Sequence, residues 1–411
     1  MTVERTRARL PPAVWALLAT SFLTSFATVG QITILGKQVF DMTGRELDLG
    51  LLGLAEFLPL ALAAPFTGAL ADRMDRRRVF AIGIAGEVAT SIGFFWYVSG
   101  DPTAVAPIFA LVVVYGFSRS LASPAVRALA IDVAPPEQLE RVIALRSVAF
   151  QAGGILGPVA AGFLFVADIA APYAVSAAAY VVAAVLISLT PKLPTRKLAT
   201  RGGAQALRDA MEGLRFIRRQ PVIFGAISLD LFAVLLGGII ALLPAIAEER
   251  LGVGAVGLGG LRAAISAGAA TMALTLAIRP LRRHVGKTLL GVIGAFGVLH
   301  LAIAFTTAYA IACVLFFCAA ALDAVSVFIR STLIPLATPE DMRGRVLAVE
   351  NVFIGASNEM GAVESGVTAA IFGLVGAMVF GSVGTLVVVA LWWRWFPALR
   401  DVDRFDEVRA G

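Results

Sequence analysis

Apolar runs of about 18 residues or more recur along this chain, each long enough as a helix to cross roughly 30 Å of hydrocarbon. Twelve such spans can be drawn: Val14 to Gly36, Leu49 to Ala71, Val79 to Val98, Ala104 to Val126, Ala144 to Val166 and Ala171 to Leu189, then Val222 to Ile246, Val256 to Ile278, Thr288 to Phe305, Ala308 to Phe328, Leu347 to Ile371 and Val375 to Phe396. The apolar residues come in blocks without strict alternation, which excludes a β-barrel. A soluble surface is excluded as well, because 59% of the 411 residues are hydrophobic and only 15% charged. The first run follows "VERTRARLPP" but has no small-residue cleavage site, so it reads as a span rather than a signal peptide. Cys313 and Cys318, five apart in one apolar run, fit neither a disulfide nor a metal site.

Lys and Arg accumulate in every second loop: Arg73, Arg76, Arg77 and Arg78; Lys192, Arg196, Lys197, Arg201, Arg215, Arg218 and Arg219; Arg279, Arg282, Arg283 and Lys287; Arg343 and Arg345. Twelve spans put all of these, and both termini, on one side, and positively charged loops stay cytoplasmic. The net charge of +6 thus faces cytosol and lipid headgroups, and no nucleic acid is called for. The halves echo one another. "VAPPEQLERVIALRSV" (133–148) aligns with "LATPEDMRGRVLAVENV" (336–352), and "DRMDRRRV" (72–79) with "IRPLRRHV" (278–285). The chain is therefore expected to be an all-α membrane protein with twelve transmembrane helices in two pseudo-symmetric six-helix bundles. Its segments are expected at 1–190 (first bundle), 191–220 (basic cytoplasmic linker), 221–396 (second bundle) and 397–411 (cytoplasmic tail). Paired repeats of this kind place a binding site at their interface near mid-membrane.

Two motifs carry a family resemblance. "GALADRMDRRRVF" (68–80) joins the second and third spans, and it is similar to the loop motif G-x-L-a-D-r-x-G-r-r of the major facilitator superfamily. "GGILGPVAAG" in the fifth span, with Gly153, Gly157, Pro158 and Gly162, resembles the G-x-x-x-G-P-x-x-G motif of antiporters in that superfamily; generic close packing of small residues is the plainer reading. Together with "SPAVRALAIDVAPPEQLERVIALRSVAFQAGGILGP", "GASNEMGAVESG" and "WWRWFPALRDVDRF", these stretches resemble the drug and siderophore exporter branch, which includes the enterobactin exporter and the macrolide efflux proteins. The resemblance implies the major facilitator fold, alternating access, and a latch in which Gly68, Asp72, Arg73, Arg76 and Arg77 shape a loop and Asp72 engages the helix start near Gly344 and Arg345. Asp75 stands where the family has glycine.

Charges inside the bilayer cost at least a few kcal/mol and need compensation. Glu359 lies about 18 Å below the start of the eleventh span and Glu364 about 25 Å. Asn351, Gly355, Asn358 and Ser365 share one face of that helix with Glu359 flanking it, so the helix is expected to border a cavity. Glu56, Glu87, Arg119, Asp230, Arg262 and Asp323 also fall at transmembrane depth, with His300 as a packed neutral imidazole. Under one reading the carboxylates are structural ion pairs. Under the other they load protons, because burial favours the neutral carboxyl. The order of candidates for coupling is Glu359, then Asp230, then Asp323 with Arg119 as a pair across the bundle interface. Asn358 joins them in the cavity, and Glu56 and Glu364, nearer the external mouth, are placed to attract cations.

The function expected is proton-coupled export of small amphipathic molecules such as drugs or siderophores, by a monomer in the lipid bilayer of the cell membrane, without cofactor or metal. Import or uniport of a polar solute is the alternative. The chain has no H-E-x-x-H, G-x-S-x-G or P-loop and only two histidines, which leaves little for an enzyme to build on. If the latch reading is right, Asp72→Asn slows substrate turnover in proteoliposomes while leaving the binding constant for the same substrate nearly unchanged.

Overall fold

The structure is a computed structural model that describes residues 10–73, 75–100, 102–190 and 203–408. Its first half consists of α1 (Pro12–Thr43), α2 (Glu46–Arg73), α3 (Arg76–Val98), α4 (Ala106–Val133), α5 (Leu139–Ala167) and α6 (Ala171–Ser188). A connecting helix, α7 (Gly203–Arg219), leads to α8 (Pro221–Leu236). The chain then runs through a 3-10 stretch (Gly238–Leu242), the short α9 (Leu243–Ala245) and a π turn (Ile246–Arg250) into α10 (Gly254–Ile278). After it come α11 (Val285–Phe305), α12 (Tyr309–Leu336), α13 (Glu340–Trp395) and α14 (Pro397–Arg400). α13 spans 56 residues but is two membrane crossings, because Gly373 turns the chain at φ 74°, ψ 168°. Only glycine adopts that conformation without a Cβ clash. With α13 counted as two legs and α8 with its continuation as one, the expected twelve crossings are present.

Helix ends follow local chemistry. Pro12 opens α1, where its missing N–H costs nothing. Gly44 closes it at φ 60°, donating its N–H to the Phe40 carbonyl at 2.7 Å. Asp75 caps α3 by accepting from the Arg77 N–H at 2.9 Å, which is what an aspartate gains at the position where the family motif has glycine. Large apolar side chains such as Leu62, Val166, Ile278 and Phe305 point outward, as lipid contact requires, and Trp15, Trp96 and Trp395 stand exposed near helix ends.

In the first half α1 packs on α5 and α6, α3 on α4 and α6, and α2 on α4. In the second, α10 and α11 pack on α12, and α8 and α11 on α13. The halves meet mainly through α5 against α10 and α2 against α13. Glycines make these approaches possible: a Cβ on Gly50 would lie 2.6 Å from the Ala362 carbonyl oxygen, and one on Gly366 3.2 Å from the Leu47 Cα. In α5, Gly153 and Gly157 fit against the backbone at Phe22 and Phe26 of α1, while Pro158 and Gly162 meet Gly259 and Ala255 of α10. The fifth-helix motif thus contacts α1 with one part and the opposite half with the other.

Among the described residues, the glycine approaches between halves lie from mid-depth outward, away from the face that bears α7 and both chain ends. On that far face Lys37 of α1, which also pairs with Asp41, reaches Glu248 at 3.1 Å, and Gly36 backs onto Pro244. Toward the linker face no atom would crowd a Cβ on Gly344 within 4 Å, and Val352 is 69% exposed. Among the described residues, the contacts named between the halves therefore lie at mid-depth and on the far face.

Two linker-face features were not expected from the sequence. The second part of the basic linker is an amphipathic helix, α7, whose Ile217 is buried with Ile223, Ile334, Val346 and Val349. The tail folds back on α11: the Val285 and Gly286 N–H groups donate to the Asp403 and Val402 carbonyls at 3.2 and 3.0 Å. The Asp403 carboxylate accepts from the His284 N–H at 3.0 Å and meets Arg283 at 3.2 Å. The His284 N–H first, and Arg283 after it, hold the Asp403 carboxyl below its ordinary value of 3.8. A lowered folded value stabilises the tail above the unfolded value and loses that contribution as pH falls through the folded one. Asp403→Ala is expected to lower the melting temperature at pH 7, and the difference from the parent should narrow as pH falls below 3.8.

Candidate functional site

A cavity of about 360 Å³ lies between the halves. From the first half α1, α2 and α4 line it; from the second come the α8–α9 segment, α10, α11, α12 and α13. Its wall is mostly apolar, with Leu35, Leu52, Tyr115, Phe296 and Phe316, and its polar groups are Glu56, Arg262, His300, Asp323, Asn358 and Glu359. The size and mix suit a drug-sized amphipathic molecule.

Glu359 sits about halfway along the first leg of α13, some 28 Å from Glu340 at 1.5 Å per residue. Its carboxylate lies over Gly53 of α2, where a Cβ would come within 3.0 Å of Oε2, so the glycine makes the room for it. Gly116 of α4 is pressed on the Glu56 backbone carbonyl, and one turn further Arg119 pairs with the Glu56 carboxylate. Next to this pair runs a hydroxyl chain from Tyr115 to Tyr180 to Thr28, each step 2.9 Å. Glu359 has no ion-pair partner within 4 Å among the described residues. Asn358, on the cavity wall, donates its side-chain N–H to the Ile354 carbonyl at 2.8 Å.

Several expectations need correction. Arg119 does not pair with Asp323 across the interface; it pairs with Glu56 inside its own half, and Asp323 lines the cavity from α12. Glu56 is accordingly a neutralised wall residue rather than a lone acid at the mouth. Glu364 is not on the cavity wall: its Oε2 accepts from Ser365 at 3.4 Å, and Oε1 is buried without a partner among the described residues. Asp230 is in a buried pair with Arg330 at 2.8 Å, both side chains under 10% exposed, and Glu350 lies beside them. His300 packs as expected, 3.9 Å between ring centroids from Phe296 and buried.

Of the loop motif, the side chains of Gly68, Asp72, Arg73 and Arg76 lie outside the described residues. Arg77 donates to the Ile187 carbonyl at 3.0 Å and to the Thr190 hydroxyl at 2.6 Å at the end of α6. At the helix start expected to receive Asp72, the Arg345 side chain is held by Asp209 at 3.2 Å and Glu212 at 2.8 Å, both on α7.

The sequence profile of the Major Facilitator Superfamily matches residues 14–362. The chain belongs to that superfamily. The enterobactin exporter EntS of Escherichia coli is 28% identical over 381 residues, which cover 87% of this chain and 84% of its own. Macrolide efflux protein A of Streptococcus pyogenes is 27% identical over 227 residues, 51% of this chain and 52% of that one. The uncharacterised MFS-type transporter YfiS of Bacillus subtilis is 26% identical over 231 residues, so the match again spans about half of each chain. Among solved structures, a bacterial homologue of the human lysosomal transporter Spinster, inward-facing and unoccupied, superposes with a TM-score of 0.75 at 17% identity, covering 98% of this chain and 100% of that one. The nucleoside transporter NupG does so with 0.77 at 14%, covering 94% and 99%. These structural likenesses carry the fold.

Within that major facilitator fold, sequence reading missed Arg330 and Glu350. α12 runs eight residues past the expected end at Phe328, so Arg330 is inside a helix and not in a loop. The signal was Asp230 itself, an acid in an apolar run that demanded a cation. Removing one partner of a buried pair leaves an uncompensated charge at a cost of about 3 kcal/mol or more, whereas an apolar replacement of both is far less costly. Asp230→Ala should therefore destabilise the protein strongly in detergent unfolding, and Asp230→Leu with Arg330→Met should recover most of the loss.

Proposed function

We propose that this member of the superfamily is a proton-driven exporter of small amphipathic molecules, working by alternating access with both termini in the cytoplasm. The observation that supports it best is Glu359, an acid without an ion-pair partner among the described residues, on the wall of a cavity between the two halves. Charged groups near Glu359 are Glu56 on α2 and Arg119 on α4, while Arg262 on α10 and Asp323 on α12 face the same cavity. Proton and cargo compete for the Glu359 carboxylate in such an arrangement, and competition is what exchange of one for the other needs. With the basic loops on the cytoplasmic side, the linker face is the one that receives cargo from the cell. The names of the enterobactin exporter and macrolide efflux relatives support the outward direction.

The cycle then requires the far-face contacts to release and the linker face to close. Lys37 with Glu248 is a contact that must break on one side. On the other, α7 must give up Arg345 if the α13 start is to meet the loop between α2 and α3. Asp230 with Arg330, buried and paired, serves the integrity of the second half rather than proton loading.

The test is transport in proteoliposomes under an imposed pH gradient, with solute efflux and proton flux read together. Glu359→Gln is expected to cut gradient-driven export about tenfold or more, the scale of losing one essential proton carrier, while leaving insertion and melting temperature unchanged. Unaltered gradient-driven movement in that variant removes Glu359 from the coupling, and solute moving with protons in the same direction makes the protein an importer.

A further inference from the structure

The cavity walls carry charges that cancel only in part. Glu56 is matched by Arg119. Glu359, Asp323 and Arg262, all three on the cavity wall, make no ion pair within 4 Å among the described residues; the opposite charges nearest in effect are Arg119 for Glu359, Arg330 for Asp323 and Glu56 for Arg262. Arg262 lies on α10, and among the described residues it makes no ion pair within 4 Å and no side-chain hydrogen bond; its Nε is buried with no partner. A guanidinium presents a planar fork of donors that matches a carboxylate or phosphate, and withdrawing it from water without a partner is costly. An arginine placed this way in a mostly apolar chamber of about 360 Å³ is set for an acceptor brought by a ligand.

We infer that Arg262 is a substrate-recognition residue and that the cargo is a zwitterionic amphiphile, with an anionic group on Arg262, a basic amine at the Glu359 carboxylate, and an apolar body between Leu35, Phe296 and Phe316. Simpler cargoes match the walls less well. A plain anion satisfies Arg262 but faces two acids. A plain cation satisfies the acids but faces an unmatched guanidinium. A neutral apolar molecule leaves all three groups without a direct partner and takes away the water that serves them. This inference rests on the exporter reading for one point: exchange against protons needs a cargo cation that competes at Glu359.

The probes are three naphthyl compounds of nearly one size: 2-naphthylalanine, which carries amine and carboxylate; 2-naphthylethylamine, which lacks the carboxylate; and 3-naphthylpropionate, which lacks the amine. Binding is measured by calorimetry on the purified full-length protein in detergent at fixed pH, without a gradient, so the result is independent of coupling. Naphthylalanine is expected to bind wild type about tenfold tighter than either truncated probe, the usual scale for one charge-assisted contact. Arg262→Gln should abolish the advantage of naphthylalanine over the amine and leave amine binding within about twofold, and Arg262→Lys should restore part of it. Equal loss for all three probes in Arg262→Gln, no loss for any, or no binding of any probe to wild type would overturn the assignment. The ligand series on wild type decides the matter if Arg262→Gln does not fold. A failure of gradient-driven export in Glu359→Gln bears on the coupling alone and does not alter this outcome.

Discussion

Hydrocarbon offers no hydrogen-bonding partner, and that single constraint organises the molecule. Backbone groups must be satisfied within each crossing segment, so the chain is helical wherever it is at membrane depth. Irregular backbone occurs at Gly238–Arg250, where the 3-10 and π turns sit among protein and border the cavity, and at the Gly373 turn. Side-chain charges obey the same rule. Arg119 with Glu56 and Arg330 with Asp230 pair within each half, whereas Glu359, Asp323 and Arg262, which make no ion pair within 4 Å among the described residues, are on the wall of the chamber between the halves. Three unpaired charges thus border accessible space, while Glu87 and Glu364 lie off that wall.

The first leg of α13 concentrates these demands. Gly361 meets the backbone of α8, Glu359 sits over Gly53 of α2, and Glu350 borders Asp230 and Arg330 nearer the linker face. One helix therefore touches its own half, the opposite half and the cavity, and its polar and small residues are distributed around the axis rather than along one stripe. That accounts for "GASNEMGAVESG" inside an otherwise apolar run. Near its start the same leg carries Arg345, which α7 holds, so the connecting helix is coupled by ion pairs to the element that carries the cavity acid.

Much of this was legible from order and composition. Crossing count, the two-half repeat and the close packing of the small residues of α5 depend on local periodicity and length, and the structure agrees with them. Partner choice was not legible. Arg119 and Asp323 occupy nearly corresponding places in the repeat, and that correspondence suggested a pair; yet Gly116 lets α4 settle on α2, and Glu56 is the acid within reach. Arg330 was hidden by a helix end drawn eight residues short. The amphipathic α7 was hidden by its own charge, since a segment with apolar side chains among arginines and acids resembles a solvated linker until its partner surface is in place.

The sequence by itself determined that the chain spans a membrane many times, that it is two related bundles, and which residues bear charge at depth. Only the tertiary structure decided which of those charges cancel and which remain. Hydrophobic length is a property of one segment, whereas an ion pair depends on the rotation of two helices about their axes and on how closely small residues let them approach. That relation joins residues 63 apart for Glu56 and Arg119 and 100 apart for Asp230 and Arg330, beyond the reach of any local pattern.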